Sequence, residues 1–373
     1  MGELKREDKR IIIHIDLDYF YAQCEELKNI SLKDKPLVVC VHSGRKEDSG
    51  AIVASNYIAR AYGVKAGIPI IQAKRLLKDV KDSAFLPADF DYYEEKSRRI
   101  MEIIRAYGDK FEEASIDEAF LDVSKVCHLD FDKALELSKE IKKEIYEKEN
   151  ITCSIGIGPN KLIAKMASDY RKPNGLTLVK PDEVKSFLFP LPVGKLYGIG
   201  KKTESRLLEL KISTIGELAN FDLDKLTNLF GKKLGTYFYL AANGIDDEEV
   251  LNRESREISR IVTLKENTLD FEEIVKVLDE LVKDVHLKML EQGLACKSIG
   301  ILAVMEDLKT RSKGRSLDNP INSLEVMNKW ARELLKEFLS QDLEFKVRRI
   351  GFKASNLFNI KDQSLITQFI ESQ

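Results

Sequence analysis

The sequence predicts an α+β chain of several domains, and three observations carry that reading. The chain has 373 residues, of which 43% are hydrophobic, enough to bury more than one core. Its first half sets short apolar β-branched runs and amphipathic helices in a βαββαβ-like order, which is the order of a ferredoxin-like sheet backed by helices. Its last part alternates strands with helices again, after a middle stretch of short helical pieces.

The elements follow in chain order. Residues 11–15 are a β-branched apolar run ending at Asp16, the pattern of a buried central strand. A helix over 92–106 has Ile100, Ile103 and Ile104 on one side, and the segment 113–124 reads as a second strand. Residues 131–149 place Ala134, Leu137, Ile141 and Ile145 at helical spacing. The third strand, 151–157, is stopped by Gly158-Pro159, and the helix after it turns Leu162, Ile163, Met166 and Ala167 inward. Residues 22–86 read as an insertion into this domain. Short helical pieces cover 182–243, and Asp246-Asp247-Glu248-Glu249 is acidic and apolar-poor, the best linker candidate. Beyond it, strands at 259–265, 298–306, 310–315 and 345–352 alternate with helices at 271–290 and 323–339.

Composition excludes several classes. No apolar run approaches the ~20 residues of a membrane-spanning helix, and the charged first residues lack the apolar stretch of a signal peptide. A cytoplasmic protein without a membrane partner is expected. The five scattered cysteines read as reduced, buried thiols, and the four dispersed histidines offer no zinc spacing. Net charge is −2, and residues 251–373 hold 20 basic and 20 acidic side chains. Any surface for a polyanion must therefore come from local arrangement.

The carboxylates point to chemistry. Asp16 ends one apolar strand and Asp117-Glu118 interrupts another, and charges among buried strand residues are costly unless paired or bound to a metal. Converging at the ends of adjacent strands, the three would hold Mg²⁺ and serve a displacement at phosphorus. From spacing alone, a hairpin turn at Asp117-Glu118 and a strand-end cap at Asp16 explain them equally well. Backbone amides at Tyr19 and Phe20, just after the strand, can cradle a triphosphate, and an aromatic ring there can wall off a sugar, although aromatics in such a place are more often core residues.

The segments DLDYFYAQCEE, SGAIVASNYIARAYGVKAGIP, ASIDEAFLD, SIGIGPNKLIAKMASDYRKPNG and RIVTLKEN stand in this order along the chain. Together they resemble the Y-family translesion DNA polymerases of the DinB, DNA polymerase IV branch, its archaeal members in particular, from Arg10 to Phe358. The resemblance implies a right-hand polymerase with a ferredoxin-like palm (1–21 and 87–178), small fingers (22–86) and a helix-hairpin-helix thumb (179–243). A linker (244–256), an α/β little finger (257–358) and a tail (359–373) complete it. It implies low-fidelity, template-directed synthesis by a monomer that binds primer–template DNA, a dNTP and a sliding clamp. Two Mg²⁺ ions are then expected on Asp16, Asp117, Glu118 and the carbonyl of Leu17. Tyr57, Arg60 and Lys172 match the triphosphate ligands, and Tyr21 matches the steric gate against ribose. Ala51 and Gly67 match the small residues over the nascent pair. Ala54 departs from the pattern, since members commonly carry a Thr or Ser there; Ser55 is the neighbouring hydroxyl.

The downstream parts carry weaker patterns. Gly198 and Gly200 allow a tight turn whose amides can meet a DNA phosphate, with Lys201 and Lys202 adding charge, although a plain packing corner explains them as well. In a strand, Lys309, Arg311, Lys313 and Arg315 project from one side. Four like charges there favour DNA phosphate over a merely solvated face, and the patch would be extended by Lys346, Arg348 and Arg349. Gln363, Ile366, Phe369 and Ile370 resemble a sliding-clamp motif.

Overall fold

The computed structural model describes residues 10–252 and 257–360. Contacts divide the chain into one unit of Met1–Cys40, Ile52–Ile68 and Ala73–Arg253, and a second of Val41–Ala51, Pro69–Gln72 and Glu254–Gln373.

Strand β1 (Ile12–Leu17) is buried at every position. It is followed by β2 (Leu37–His42), β3 (Gly50–Ser55) and β4 (Ala84–Pro87), a small sheet in the order β3-β2-β4. The main sheet is completed by β5 (Lys110–Glu113), β6 (Glu118–Asp122), β7 (Cys153–Gly158) and β8 (Leu176–Leu178), and its order is β5-β6-β1-β7-β8. The segment 113–124, read from the sequence as one strand, is thus the end of β5, a turn at 114–117 and β6. Asp117 closes that turn and Glu118 opens the next strand.

The strand period of two sorts β1 between two layers. Ile13, Ile15 and Leu17 enter the core shared with Tyr93, Ile100 and Ile104 of helix Phe90–Arg105 and Ala134, Ile141 and Ile145 of helix Phe131–Glu149. The alternate residues face helix Lys161–Tyr170. Ile12 packs with Ala164 and Phe120, and His14 reaches Ser168. Asp16 shares that face, in register with Glu118 of β6 and Ser154 of β7. Gly156 of β7 lies opposite His14, and a Cβ there would stand 2.0 Å from the Ala164 carbonyl and 2.2 Å from the Ser168 amide. A glycine at this point is what lets the helix lie directly on the sheet.

The acidic run at 246–249 is docked through its backbone and Asp246, although residues 247–249 stay exposed. Arg10 donates to the carbonyls of Asp246 and Glu248, and Asp246 accepts the Leu162 amide. Lys161, itself paired with buried Glu112, reaches Glu248 at 3.3 Å, and Val250 is 1% exposed against Ile12 and Phe120. An apolar residue one step past the run anchors a segment whose composition alone reads as linker.

In the second unit, β9 (Glu257–Thr268), β10 (Leu294–Met305), β11 (Thr310–Ile321) and β12 (Val347–Asn359) form an antiparallel sheet in the order β11-β10-β12-β9. Ile299, Ile301, Ala303, Ile350 and Phe352 pack on helices Phe271–Glu291 and Leu324–Leu339. All five cysteines are buried and unpaired, and among the described residues no helix is long and apolar enough to cross a membrane.

Gly156→Ala should destabilise the first unit by at least about 2–3 kcal/mol, because backbone and not a flexible side chain blocks the added methyl. Urea unfolding followed by circular dichroism measures this, and an unchanged midpoint would contradict the close approach.

Candidate active site

Asp16 is only 7% exposed, and a carboxylate this buried needs a counter-charge. Lys172 provides it, with Nζ 2.6 Å from Asp16 Oδ2 and 2.8 Å from Asp169 Oδ1. Burial pushes the Asp16 carboxyl up, to about 7, with Lys172 pulling the other way and Glu118 adding to the push. Burial acts to lower Lys172, but Asp16 outweighs it and holds the ammonium above the usual lysine range. Glu118 lies 3.8 Å from His14 Nε2 and 2.7 Å from Lys165 Nζ. Together the imidazole and the ammonium hold it well below the usual carboxylate range, against the effect of burial. His14 is fully buried and its pKa is lowered to about 4 by that burial; its Nδ1 meets Ser168 Oγ at 2.7 Å. Asp117 is tied to β1 through its carbonyl, which accepts the Leu17 amide at 2.9 Å, while its Oδ1 accepts from Ser115 Oγ at 2.6 Å.

The turn after β1 is strained. Tyr19 sits in the left-handed region with φ 37° and ψ 43°, and helix Phe20–Lys28 starts there without a side-chain cap. Its first amides are therefore open to a ligand. Phe20 points into the core at 2% exposure. Tyr21 is half-buried and stacks on Tyr93, with ring centroids 4.5 Å apart and planes 17° apart, while Phe90 meets it edge-on. Burial and then nearby Asp117 raise the Tyr21 phenol pKa, which ties this ring to the acidic cluster.

Asn56 caps helix Tyr57–Ala61 and accepts the Leu37 amide, fixing the helix to β2. Tyr57 meets Tyr19 edge-on at 5.2 Å, and the Arg60 guanidinium lies 4.8 Å over the Tyr57 ring with Nε donating to Ser55 O. The charges acting on Tyr57, after burial, are those of Asp18, Arg60, Lys172 and Asp16. Arg60 and Lys172 are thereby brought to the Asp16 end of the sheet. The Ser55 hydroxyl is buried and donates to Val64 O at 2.8 Å. Ala51 lies in β3. Gly67 adopts φ 89°, and a Cβ there would meet nothing within 4 Å.

Gly198 also has a left-handed φ, 88°, and a Cβ there would press on the Tyr237 ring at 2.9 Å. Gly200 caps helix Lys201–Glu209 with open space around it, and Lys201 is exposed.

The basic strand alternates as expected, but its charged side faces helix Leu324–Leu339. Arg311, Lys313 and Arg315 are in register with Ala303, Ile301 and Ile299, which pack on the helices. Lys313 pairs with Glu337 at 3.0 Å; Arg315 pairs with Glu337 at 2.6 Å and lies over Trp330. The mutual repulsion that favoured a polyanion is relieved inside the protein. Lys309 is exposed and pairs with Asp307. Arg349 is in register with Val304, which faces away from the helices, so it does not extend the patch. Arg348 precedes it in β12, and Lys346 lies just before that strand. The helix-free face instead carries Gly300, Gly314, Gly351, Ser298, Ser316 and Lys353, in register across the sheet. Gln363, Ile366, Phe369 and Ile370 lie outside the described residues.

The reading of sequence motifs missed four residues that shape the site: His14, Asp18, Tyr93 and Lys165. Only Asp18 left a visible signal, as a second acid beyond the strand end.

Residues 15–169 match the impB/mucB/samB family, 255–368 match that family's C-terminal domain, and 194–246 match the DNA polymerase-iota thumb domain. The chain is 47% identical over 363 residues to DNA polymerase IV of Nitrosopumilus maritimus, spanning 97% of this chain and 100% of that protein. Among solved structures it is similar to a Y-family DNA polymerase chimera (TM-score 0.87, 40% identity, 93% of this chain and 99% of that one). It is also similar to the insertion ternary complex of Dbh DNA polymerase (TM-score 0.72, 40% identity, with the same coverage of 93% and 99%). The chain belongs to the Y-family DNA polymerases of the DinB, DNA polymerase IV type: it is a DNA-directed DNA polymerase with a right-hand, multidomain α+β fold.

Proposed function

We propose that this polymerase performs low-fidelity translesion synthesis, transferring a deoxynucleoside monophosphate from a dNTP to a primer 3′-hydroxyl and releasing pyrophosphate. The observation that carries this reading is the register pair Asp16–Glu118, with Lys172 on Asp16 and Tyr21 and Tyr57 at the same end of the sheet.

Among the described residues no group of three acidic, histidine or cysteine side chains stands together closely enough to hold a metal ion. Lys172 and Lys165 occupy the cation positions beside Asp16 and Glu118. The donors nevertheless suit a hard cation: all are oxygens, and one of them, Asp16, is a buried carboxylate that already requires positive charge. Asp16, Asp117, Glu118 and the Leu17 carbonyl would hold two Mg²⁺ ions, which when bound supply charge neutralisation for displacement at phosphorus. The protein's own groups do the rest by positioning. Lys172, Arg60 and Tyr57 grip the triphosphate with the amides at Tyr19 and Phe20. Tyr21, backed by Tyr93, blocks a ribose 2′-oxygen. Ala51 and the open space at Gly67 leave a template base loosely covered, which suits damaged bases.

In this reading the palm (1–21 and 87–178), fingers (22–86) and thumb (179–243) hold primer–template DNA and the dNTP, and the enzyme acts as a monomer. The amides at Gly198 and Gly200 and Lys201 hold a DNA phosphate. The little finger (257–358), joined by the linker 244–256, grips the duplex with its helix-free face and with Lys309, Lys346, Arg348 and Arg349. Arg311, Lys313 and Arg315 join in where they exchange internal partners for phosphate. The tail (359–373) recruits a sliding clamp.

Asp117→Ala and Glu118→Ala should each abolish primer extension with Mg²⁺ and four dNTPs; extension at the wild-type rate in either variant means the active site lies elsewhere. Tyr21→Ala should raise ribonucleotide incorporation relative to deoxynucleotide incorporation, and unchanged sugar discrimination removes the gate assignment. Deleting residues 363–373 should abolish stimulation by a sliding clamp while sparing distributive synthesis. Stimulation that survives the deletion places the clamp contact outside the tail.

A further inference from the structure

Asp18 is 1% exposed, and its carboxylate is held by two hydroxyls and one backbone amide. Oδ1 accepts from Ser154 Oγ at 2.6 Å, and Oδ2 accepts from Thr152 Oγ1 at 2.9 Å and from the Asn174 amide at 2.8 Å. Its own amide donates to Thr152 O at 3.0 Å, and its carbonyl accepts from the Gln23 side chain, whose Oε1 in turn accepts the Thr152 amide. A buried anion with this many matched donors has one low-energy placement.

What the anion joins matters more than its own satisfaction. Asp18 stands immediately before Tyr19 and the strained turn that leads to Tyr21. Asn174, the residue it captures, is two positions beyond Lys172 and takes a left-handed φ of 53°. The same loop is fastened from its other side, where Lys142 Nζ donates to Asn174 Oδ1 at 2.8 Å and the Gly175 amide donates to Ser154 Oγ at 3.1 Å. Two residues of chain span at most about 7 Å, so release of the Asn174 anchor moves the Lys172 backbone directly. Misplacement of a binding group by about 1 Å is enough to lose much of its contribution.

We propose that Asp18 is a positioning residue for the incoming triphosphate: it locks the Lys172 loop to the Tyr19–Tyr21 turn, and so sets the spacing between the ammonium and the amide cradle. This rests on the reading of Lys172 as a triphosphate ligand. Asp18 touches no reacting atom and acts through Lys172.

The experiment is single-nucleotide insertion by the full-length chain on a primer–template, with dNTP concentration varied. Asp18→Ala is expected to raise the KM for dNTP about tenfold while kcat changes less than about threefold. Asp18→Asn should stay within about twofold of wild type, because its amide oxygen accepts from Asn174 and Thr152 while its NH₂ donates to Ser154 Oγ. In a Lys172→Ala background, Asp18→Ala should add less than about twofold to KM. Full multiplication of the two KM effects overturns the proposal, as does an Asp18→Asn variant impaired like Asp18→Ala. Where Asp18→Ala fails to fold, Thr152→Val removes one donor at constant shape; it should raise KM about threefold and lose that effect in the Lys172→Ala background. An unchanged KM in Thr152→Val overturns the proposal too. Lys172→Ala with a wild-type KM sinks the triphosphate reading and this proposal with it, whereas a raised KM without coupling to Asp18 sinks this proposal alone.

Discussion

Two carboxylates at the end of one fully buried strand constrain much of what surrounds them. Strand β1 is sealed on both faces and apolar but for His14 until Asp16, and Asp18 follows it at 1% exposure. Neither charge can be left uncompensated in such surroundings. The fold answers them in different ways. Asp16 takes a charged partner in Lys172, whose ammonium also reaches Asp169. Asp18 takes hydroxyls and an amide that cannot leave. Lys172 and Asn174 come from the same short loop after helix Lys161–Tyr170, while Ser154 lies in β7 and Thr152 just before it, so the Asn174 end of that loop is fixed to the sheet.

The same logic explains the close packing behind the site. Glu118 is set opposite Asp16 by antiparallel register, and its partner Lys165 projects from the helix that Gly156 allows onto the sheet. A larger residue at position 156 would lift the helix and with it Lys165 and Ser168. His14 is buried beneath Glu118 as a neutral ring, which keeps a second full positive charge out of the space between strand and helix. Aromatic stacking does a parallel job on the other side, where Tyr93 restrains Tyr21 without any charge at all.

Periodicity made much of this visible in the sequence. The run 11–15 ending in Asp16, the strand at 151–157 and the helices at 131–149 and 271–290 all follow from the pattern of apolar residues. What spacing cannot report is which partner a face meets. Arg311, Lys313 and Arg315 do share one side of β11, yet register with Ile299 and Ile301 turns that side toward helix carboxylates, about 20 residues away in sequence. The acidic run 246–249 does not look docked because its anchors, Arg10, Lys161 and Val250's apolar socket, are mostly far off in the chain. Asp117 and Glu118 were legible as a pair, and a hairpin turn there stood open beside the metal-site reading, although the pattern of 113–124 still read as one strand. Tyr93 and Lys165 are ordinary helix residues by pattern, and only the tertiary packing gives them work at the site.

The near-zero net charge then acquires a physical meaning. Lys172, Lys165, Lys313 and Arg315 all have carboxylate partners within 3 Å in the protein alone. A cation that is already paired contributes to binding a phosphate only the difference between two ion pairs, together with the change in hydration. Binding of a polyanion by such groups is therefore weaker than their number suggests, and it leaves carboxylates behind that need a new cation. At Asp16 that demand is most acute, because burial prevents water from meeting it. In the proposed function, drawing Lys172 toward a triphosphate would be favourable only together with a cation that replaces it at Asp16, so the pairing seen in the free chain would couple the two events.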